Sequence, residues 1–195
     1  YPEDFHDLST EMGRILWAAL VHSPWDHAGD PEFWDTLRAG ALELRRTSDR
    51  ALMIVIGCNL FEWGTFLRRI DNFLMDLAAE PEQVERLLDA LMEQHLATLG
   101  RVCRAVGDVV DLVRFGDDLG TNMGPFMSPQ TYRKLFKPRH RILTEYVETH
   151  SQMHPFLHSC GSIYELIPDL IDAGFDCLNP VQTSCANMEP KRLKS

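Results

Sequence analysis

The sequence predicts an α/β fold, a (β/α)8 TIM barrel of which this chain is a partial barrel. Three observations predict it. Short all-apolar runs alternate with amphipathic helical stretches over residues 51–181, no nucleotide-binding fingerprint follows any of those runs, and polar residues with chemical potential sit just after them. Such alternation argues for a parallel sheet with right-handed crossovers, whose usual closures are an open doubly wound sheet and a barrel. The absence of GxGxxG and GxxxxGK[ST] disfavours the nucleotide-binding open sheets. Four strand units are about half of a barrel that usually takes roughly 250 residues. The 195 residues therefore read as part of a single barrel domain, with N- and C-terminal segments missing.

Each element follows from its own stretch. ALMIVIG (51–57) is short, apolar, β-branched and closed by glycine, as suits a strand buried on both faces. Residues 60–78 are amphipathic and helical. Pro81 fits the first turn of a new helix, in which Val84, Leu87, Leu88, Leu91 and Leu96 recur at helical spacing until about Gly107. DLVRFG (111–116) is the second strand. The loop DDLGTNMGPFM then leads to a helix opened by Ser128 as N-cap, with Pro129 at the first helical position. QMHPFLHS (152–159) is the third strand, GSIYELIPDLIDAG (161–174) a helix closed by Gly174, and FDCLNPV (175–181) the fourth strand. Pro168 predicts a kink or a 3₁₀ turn inside that last helix.

Bulk properties narrow the function. Hydrophobic residues make up 45% of the chain, enough for a sizeable core. A net charge of −10, with no basic cluster interleaved with aromatics, argues against nucleic acid as a partner. There is no run of eighteen apolar residues for a membrane span, and YPEDFHDLS lacks the marks of a signal peptide, so the cytoplasm is the expected setting. Cys58, Cys103, Cys160, Cys177 and Cys185 are odd in number and irregularly spaced, which suits reduced thiols better than a disulfide framework.

In a barrel the strand ends and the loops after them share one face, where active sites lie. Here those positions hold Cys58 and Asn59, then Asp117 and Asp118, then His158 and Cys160, then Asn179, Gln182 and Cys185. In FLHSCGS (156–162), His158 and Cys160 are two apart on an extended strand end and point the same way, which suits two ligands of one metal ion. Imidazole and thiolate are ligands that suit zinc, and a catalytic zinc site needs a third ligand and an open position. The alternative is a hydrogen-bonded histidine beside an inert thiol. Cys185, Cys58 and Asp117 are candidate third ligands within the chain, and a residue beyond Ser195 is preferred. Asp117 and Asp118 are candidate acid/base or substrate-orienting groups, since neighbouring carboxylates repel and one can hold its proton longer; the alternative is an ordinary turn before Gly120. His22, Asp26, His27 and Asp30 read as a solvent-facing loop rather than a metal site. His95 and His140 fall on helices as surface or packing residues, and His154 reads as a satisfied core histidine.

GDDLGTNMGPFMSPQTYRKLFKPRHRIL and FLHSCGSIYELIPDLIDAGFDCLNPVQ together resemble the uroporphyrinogen decarboxylase (URO-D) superfamily, from about residue 51 to the end; the first fifty residues match more loosely. The resemblance implies a (β/α)8 barrel and one of two chemistries. Decarboxylases convert uroporphyrinogen to coproporphyrinogen in porphyrin biosynthesis without a cofactor. A methyltransferase branch moves a methyl group between a corrinoid and a thiol, using zinc held by an HxC pair and a distant cysteine. His158-x-Cys160 matches the methyltransferase branch. This chain also has Phe66 and Leu67 near the decarboxylases' substrate-site tyrosine, and Asp117 where they carry serine or threonine.

The resemblance therefore implies a zinc enzyme that works with a corrinoid as methyl carrier, a corrinoid protein as partner and a small thiol as substrate. From their positions, Asp117 and Asp118 are expected to orient the substrate or a zinc-bound water, and Asn59, Asn179 and Gln182 to bind the substrate; a homo-oligomer is a further expectation. The decarboxylase alternative needs an arginine-rich cleft for many carboxylates, for which Arg68, Arg69 and Arg114 are available. A non-catalytic barrel or corrinoid-protein partner is the third reading.

Overall fold

The computed structural model describes residues 1, 5–14, 27–30 and 32–194. Among the described residues, two helices, α1 (Leu8–Arg14) and α2 (Phe33–Thr47), precede the first strand, β1 (Met53–Gly57). Then come α3 (Phe61–Arg68), α4 (Ile70–Ala79), α5 (Pro81–Val106), β2 (Leu112–Gly116), the short α6 (Pro129–Thr131) and α7 (Lys137–His150). β3 (His154–His158), α8 (Ile167–Asp172), β4 (Cys177–Asn179) and α9 (Pro190–Leu193) complete the order. The four strands form one parallel sheet in the order β1-β2-β3-β4, which is the arc of a partial (β/α)8 barrel.

Local sequence explains the element boundaries. Pro81 opens α5 at a position where no amide partner is needed, and Val84, Leu87, Leu88, Leu91, Leu99 and Val102 are buried along it. The helical stretch at 60–78 is two helices rather than one. Arg69, at φ 65°, breaks it, and Gly64 lets the Phe73 ring lie where a Cβ would otherwise be. Ser128 caps its helix, its hydroxyl accepting from the Thr131 amide at 3.1 Å. A π-helical turn, Tyr132–Phe136, then turns Tyr132, Leu135 and Phe136 into the core. Pro168 sits in the first turn of α8, immediately after a 3₁₀ turn at Tyr164–Leu166, so the predicted irregularity is where the helix begins.

The two faces of the sheet differ. Ile54, Val113, Phe115 and Leu157 are buried in one core with Leu88, Leu91 and Leu99 of α5 and Leu143 and Val147 of α7. On the other face, Met53 and Val55 are 41% and 46% exposed. That second face is the inward face of the barrel. Among the described residues, no helix is long and apolar enough to cross a membrane.

Candidate metal centre

Register brings the strand ends level. Gly116 pairs with His158 and His158 with Asn179, so the residues that follow β2, β3 and β4 emerge side by side. The Asp118 carboxylate accepts the Cys160 amide proton at 2.8 Å, which ties the loop after β2 to the end of β3. His158 Nε2 lies 3.4 Å from Cys160 Sγ and 3.8 Å from Asp118 Oδ1. One ligand atom from each of Asp118, His158 and Cys160 falls within 4.8 Å of the others. A tetrahedral zinc ion with ordinary Zn–S, Zn–N and Zn–O bonds sets its ligands about 3.5 Å apart, so this donor set fits zinc in both chemistry and spacing.

The surroundings orient these donors. His158 Nδ1 donates to Asn179 Oδ1 at 2.7 Å, leaving the Nε2 lone pair directed to the cluster. Gln182 Oε1 accepts from the Gly161 amide at 2.9 Å. Gly161, at φ 88°, lies directly on the Gly120 backbone, where any Cβ would overlap the Gly120 carbonyl. Glycine at 161 is therefore a condition for Asp118 and Cys160 to approach each other. Burial first, and then the Asp118 charge, push the Cys160 thiol pKa up, while Arg114 draws it down.

Asp117 and its neighbour have different surroundings. The Asp117 carboxylate has no exposed surface and accepts the Phe61 and Glu62 amide protons at the start of α3, both at 3.0 Å. His140 Nε2 stands 3.4 Å from it, and His140 Nδ1 bonds the Tyr132 hydroxyl at 2.9 Å. Asp117 thus fixes a helix N-terminus to a strand end, while Asp118 faces His158 and Cys160. His95 is buried, its Nε2 donating to the Asn59 carbonyl at 2.8 Å, and burial lowers its pKa to about 4. His95 and His140 are interior hydrogen-bonding residues rather than surface ones.

Asn59 and Glu62 extend the cluster. The Asn59 side chain lies against Gly57 and Gly116 and donates to Glu62, whose carboxylate also accepts the Asp118 amide proton at 3.2 Å. Burial, reinforced by Asp117 and Asp118, pushes the Glu62 carboxyl pKa up to about 7. Sequence reasoning missed Glu62, although its place three residues after Asn59, just past a strand end, was the available signal. Between its ordinary 4.5 and about 7, the folded chain holds a proton that the unfolded chain has released, so the Glu62 contribution to stability falls as pH rises through that window. His95 acts oppositely: it stays neutral while the unfolded imidazole protonates, so its contribution is lost as pH falls from 6.5 toward about 4. In chelator-treated protein, Glu62→Gln is therefore expected to raise stability relative to wild type more at pH 8 than at pH 5, as read by urea unfolding. Parallel pH curves for the two proteins would refute this.

The other sequence candidates are dispersed. Cys58 is buried, with its thiol pushed far up by burial, and Cys185 is buried with its thiol toward Asn122 Oδ1 at 3.5 Å. Neither joins the cluster. The third ligand, expected beyond Ser195, has a candidate within the chain in Asp118. His154 is not a core histidine; it stands at the exposed start of β3, paired with Asp176 at 2.8 Å. His27 and Asp30 form an exposed pair at 3.0 Å, while His22 and Asp26 lie outside the described residues. Two hollows lie away from the cluster, one lined by Phe5, Arg86 and Glu93, the other by Trp34, Arg38 and Arg101.

A family model described as uroporphyrinogen decarboxylase (URO-D) matches residues 59–189, more than half of the chain. The chain belongs to the URO-D family. Every residue of the cluster and its surroundings, from Asn59 to Gln182, lies inside the matched segment. Among solved structures, the URO-D chain is similar to a methyltransferase from Methanosarcina mazei, with a TM-score of 0.58 and 16% sequence identity. The match covers 98% of this chain and 52% of that one, so this URO-D chain spans about half the length of its structural neighbour. No curated protein matches the sequence.

Proposed function

We propose that this chain carries the metal-binding part of a zinc-dependent methyltransferase that moves a methyl group between a corrinoid and a small thiol. The observation that carries the reading is the convergence of Asp118, His158 and Cys160, one ligand atom from each within 4.8 Å. The methyltransferase neighbour supports it at the level of fold. The remaining strands, supplied by segments beyond this chain, would close the barrel, and a corrinoid-carrying protein would dock at the strand-end face. All five cysteines are free thiols, in keeping with a cytoplasmic setting.

Three protein donors leave one tetrahedral position for substrate. Zinc bound there would supply Lewis acidity that makes a coordinated thiol available as thiolate at neutral pH. The chain's own residues do the rest. Asn179 holds the His158 ring so that Nε2 faces the cluster. The Cys160 amide holds Asp118 beside it. Asn59 and Gln182 each use one end of their amide on the protein, at Glu62 and Gly161, and keep the other for a polar part of the substrate. Asp117 acts through position, by setting the start of α3 beneath Asn59 and Glu62.

The decarboxylase reading draws on the family name but needs positive charge for many carboxylates. Arg68 is paired with Asp76 and Arg69 with Asp71, which leaves Arg114 alone among the three arginines available for that role. The test is zinc stoichiometry of the full-length protein purified without chelator, with proton release followed when a thiol is added. One zinc per barrel and release of a proton are expected. Protein that holds no zinc and cannot be loaded with it would overturn the methyltransferase and favour the decarboxylase.

A further inference from the structure

A hollow of about 360 Å³ lies between α2 and α5. Trp34, Asp35 and Arg38 of α2 line one wall, and Arg101, Arg104 and Ala105 of α5 the other. The three α5 residues fall in the last two turns of that helix, which leads into the start of β2, whereas Asp118, His158 and Cys160 follow the strand ends. Two of the lining residues are firmly held. Arg38 reaches across from α2, its Nη1 donating to the Ala105 carbonyl at 2.7 Å and its fork gripping Asp108 at 2.6 and 2.8 Å. Trp34 Nε1 donates to the Ala28 carbonyl at 3.0 Å, and the indole meets the Phe33 ring in a T-shaped contact at 5.0 Å. With its N–H so used, Trp34 offers the hollow an apolar, planar ring.

Arg101 and Arg104 differ from Arg38. Three residues apart on a helix, they are neighbours on one side of it, and among the described residues neither makes a side-chain hydrogen bond or ion pair. Asp35, the acid of the lining, pairs with neither. Acceptors are not scarce in a chain of net charge −10, and Arg38, Arg45 and Arg46 on α2 each find a carboxylate. A helix C-terminus favours a cation in its last turn, which accounts for one of the two charges. It does not account for a pair of like charges set with an indole around one concave surface.

We propose that this hollow binds a planar aromatic phosphate, its ring stacked on Trp34 and its phosphate held between Arg101 and Arg104. Guanidinium forks match phosphate oxygens two at a time, and an indole stacks on any planar base. The volume falls near the lower end of small-ligand sites, which run to about 300–1,000 Å³, and so suits one molecule of nucleotide size. Asp35 supplies an acceptor for a hydroxyl or amino group of the ligand. The site does not depend on the metal centre, and its occupancy and the zinc content vary separately.

The test is calorimetric titration of the full-length protein with adenosine monophosphate, adenosine and inorganic phosphate, repeated on an Arg101→Gln/Arg104→Gln double variant and on Trp34→Leu. Wild type is expected to bind the monophosphate at least about tenfold more tightly than adenosine or phosphate, since each of these lacks one half of the contact. The double variant changes only exposed side chains, so its fold is not at stake, and it should bind the monophosphate no better than adenosine. Trp34→Leu should weaken the monophosphate at least about fivefold, the lower end of what base stacking on an aromatic ring contributes, and leave phosphate unchanged. Zinc content should equal that of wild type in both. No saturable binding of the monophosphate at about 1 mM would overturn the proposal and leave Arg101 and Arg104 to the helix terminus or to another part of the barrel. Binding that survives the double substitution unchanged would overturn it too, by placing the ligand elsewhere. Adenosine as tight as the monophosphate in wild type would overturn the phosphate contact, and phosphate as tight as the monophosphate would overturn the stacking on Trp34.

Discussion

Cys160→Ala is expected to lose bound zinc altogether, and methyl transfer to a thiol with it. The variant keeps His158 and Asp118 but removes the one soft, negatively charged donor, and water does not replace a thiolate at comparable affinity. The scale comes from the surroundings: changes to groups that only orient a ligand cost about 10–100-fold in metal affinity. Asn179→Ala, which frees the His158 ring without touching a ligand, should fall in that range, and Cys160→Ala well beyond it. The fold should survive both changes, since Cys160 is only partly buried and its amide bond to Asp118 is made by the backbone. Metal content and competition with a chromophoric chelator read the result. If Cys160→Ala retained zinc at wild-type affinity, Cys160 would be an inert thiol and the donor set would have to be sought elsewhere in the barrel.

The HxC pair was legible because strand periodicity translates spacing directly into direction. Two residues apart means the same side, and the structure brings His158 Nε2 and Cys160 Sγ to 3.4 Å. The four strands were legible for a similar reason: 51–57, 111–116, 152–159 and 175–181 are apolar runs with little competing helical pattern, and each contains a strand of the parallel sheet. The division of labour between Asp117 and Asp118 was not legible. Adjacent carboxylates at a strand end look equivalent in sequence, and their fates depend on what lies to either side. One meets the amides at the start of α3, the other the end of β3, and both partners are more than forty residues away in the chain. Glu62 escaped for the same reason, because its raised proton affinity comes from burial and from two aspartates distant in sequence. His154 was misplaced because alternation tells which side a residue faces, not how far along the strand the core extends; the first residue of β3 lies at the open end of the sheet.

Asp117→Ala is expected to destabilise the protein by about 2–5 kcal/mol, a large share of the 5–15 kcal/mol that typically holds a domain folded. The carboxylate is fully buried and satisfies two backbone amides that sit at the start of a helix, where no intrahelical carbonyl can reach them. Alanine leaves both donors without an acceptor, at about 1–3 kcal/mol each, and opens a space beside His140 that the close-packed Tyr132 and Phe136 rings can fill only by moving. Asp117→Asn should cost less, since the amide oxygen still accepts one of the two protons, while its NH2 group presents donors where an acceptor is needed. The free energies are read by denaturant unfolding of the full-length protein, and the site by zinc content at a temperature where each variant is folded. A positioning role predicts that turnover falls in step with stability and recovers partly in Asp117→Asn. If Asp117→Ala kept wild-type stability and zinc content but lost turnover, the carboxylate would act on substrate directly, and the start of α3 would be held by something other than this buried acid.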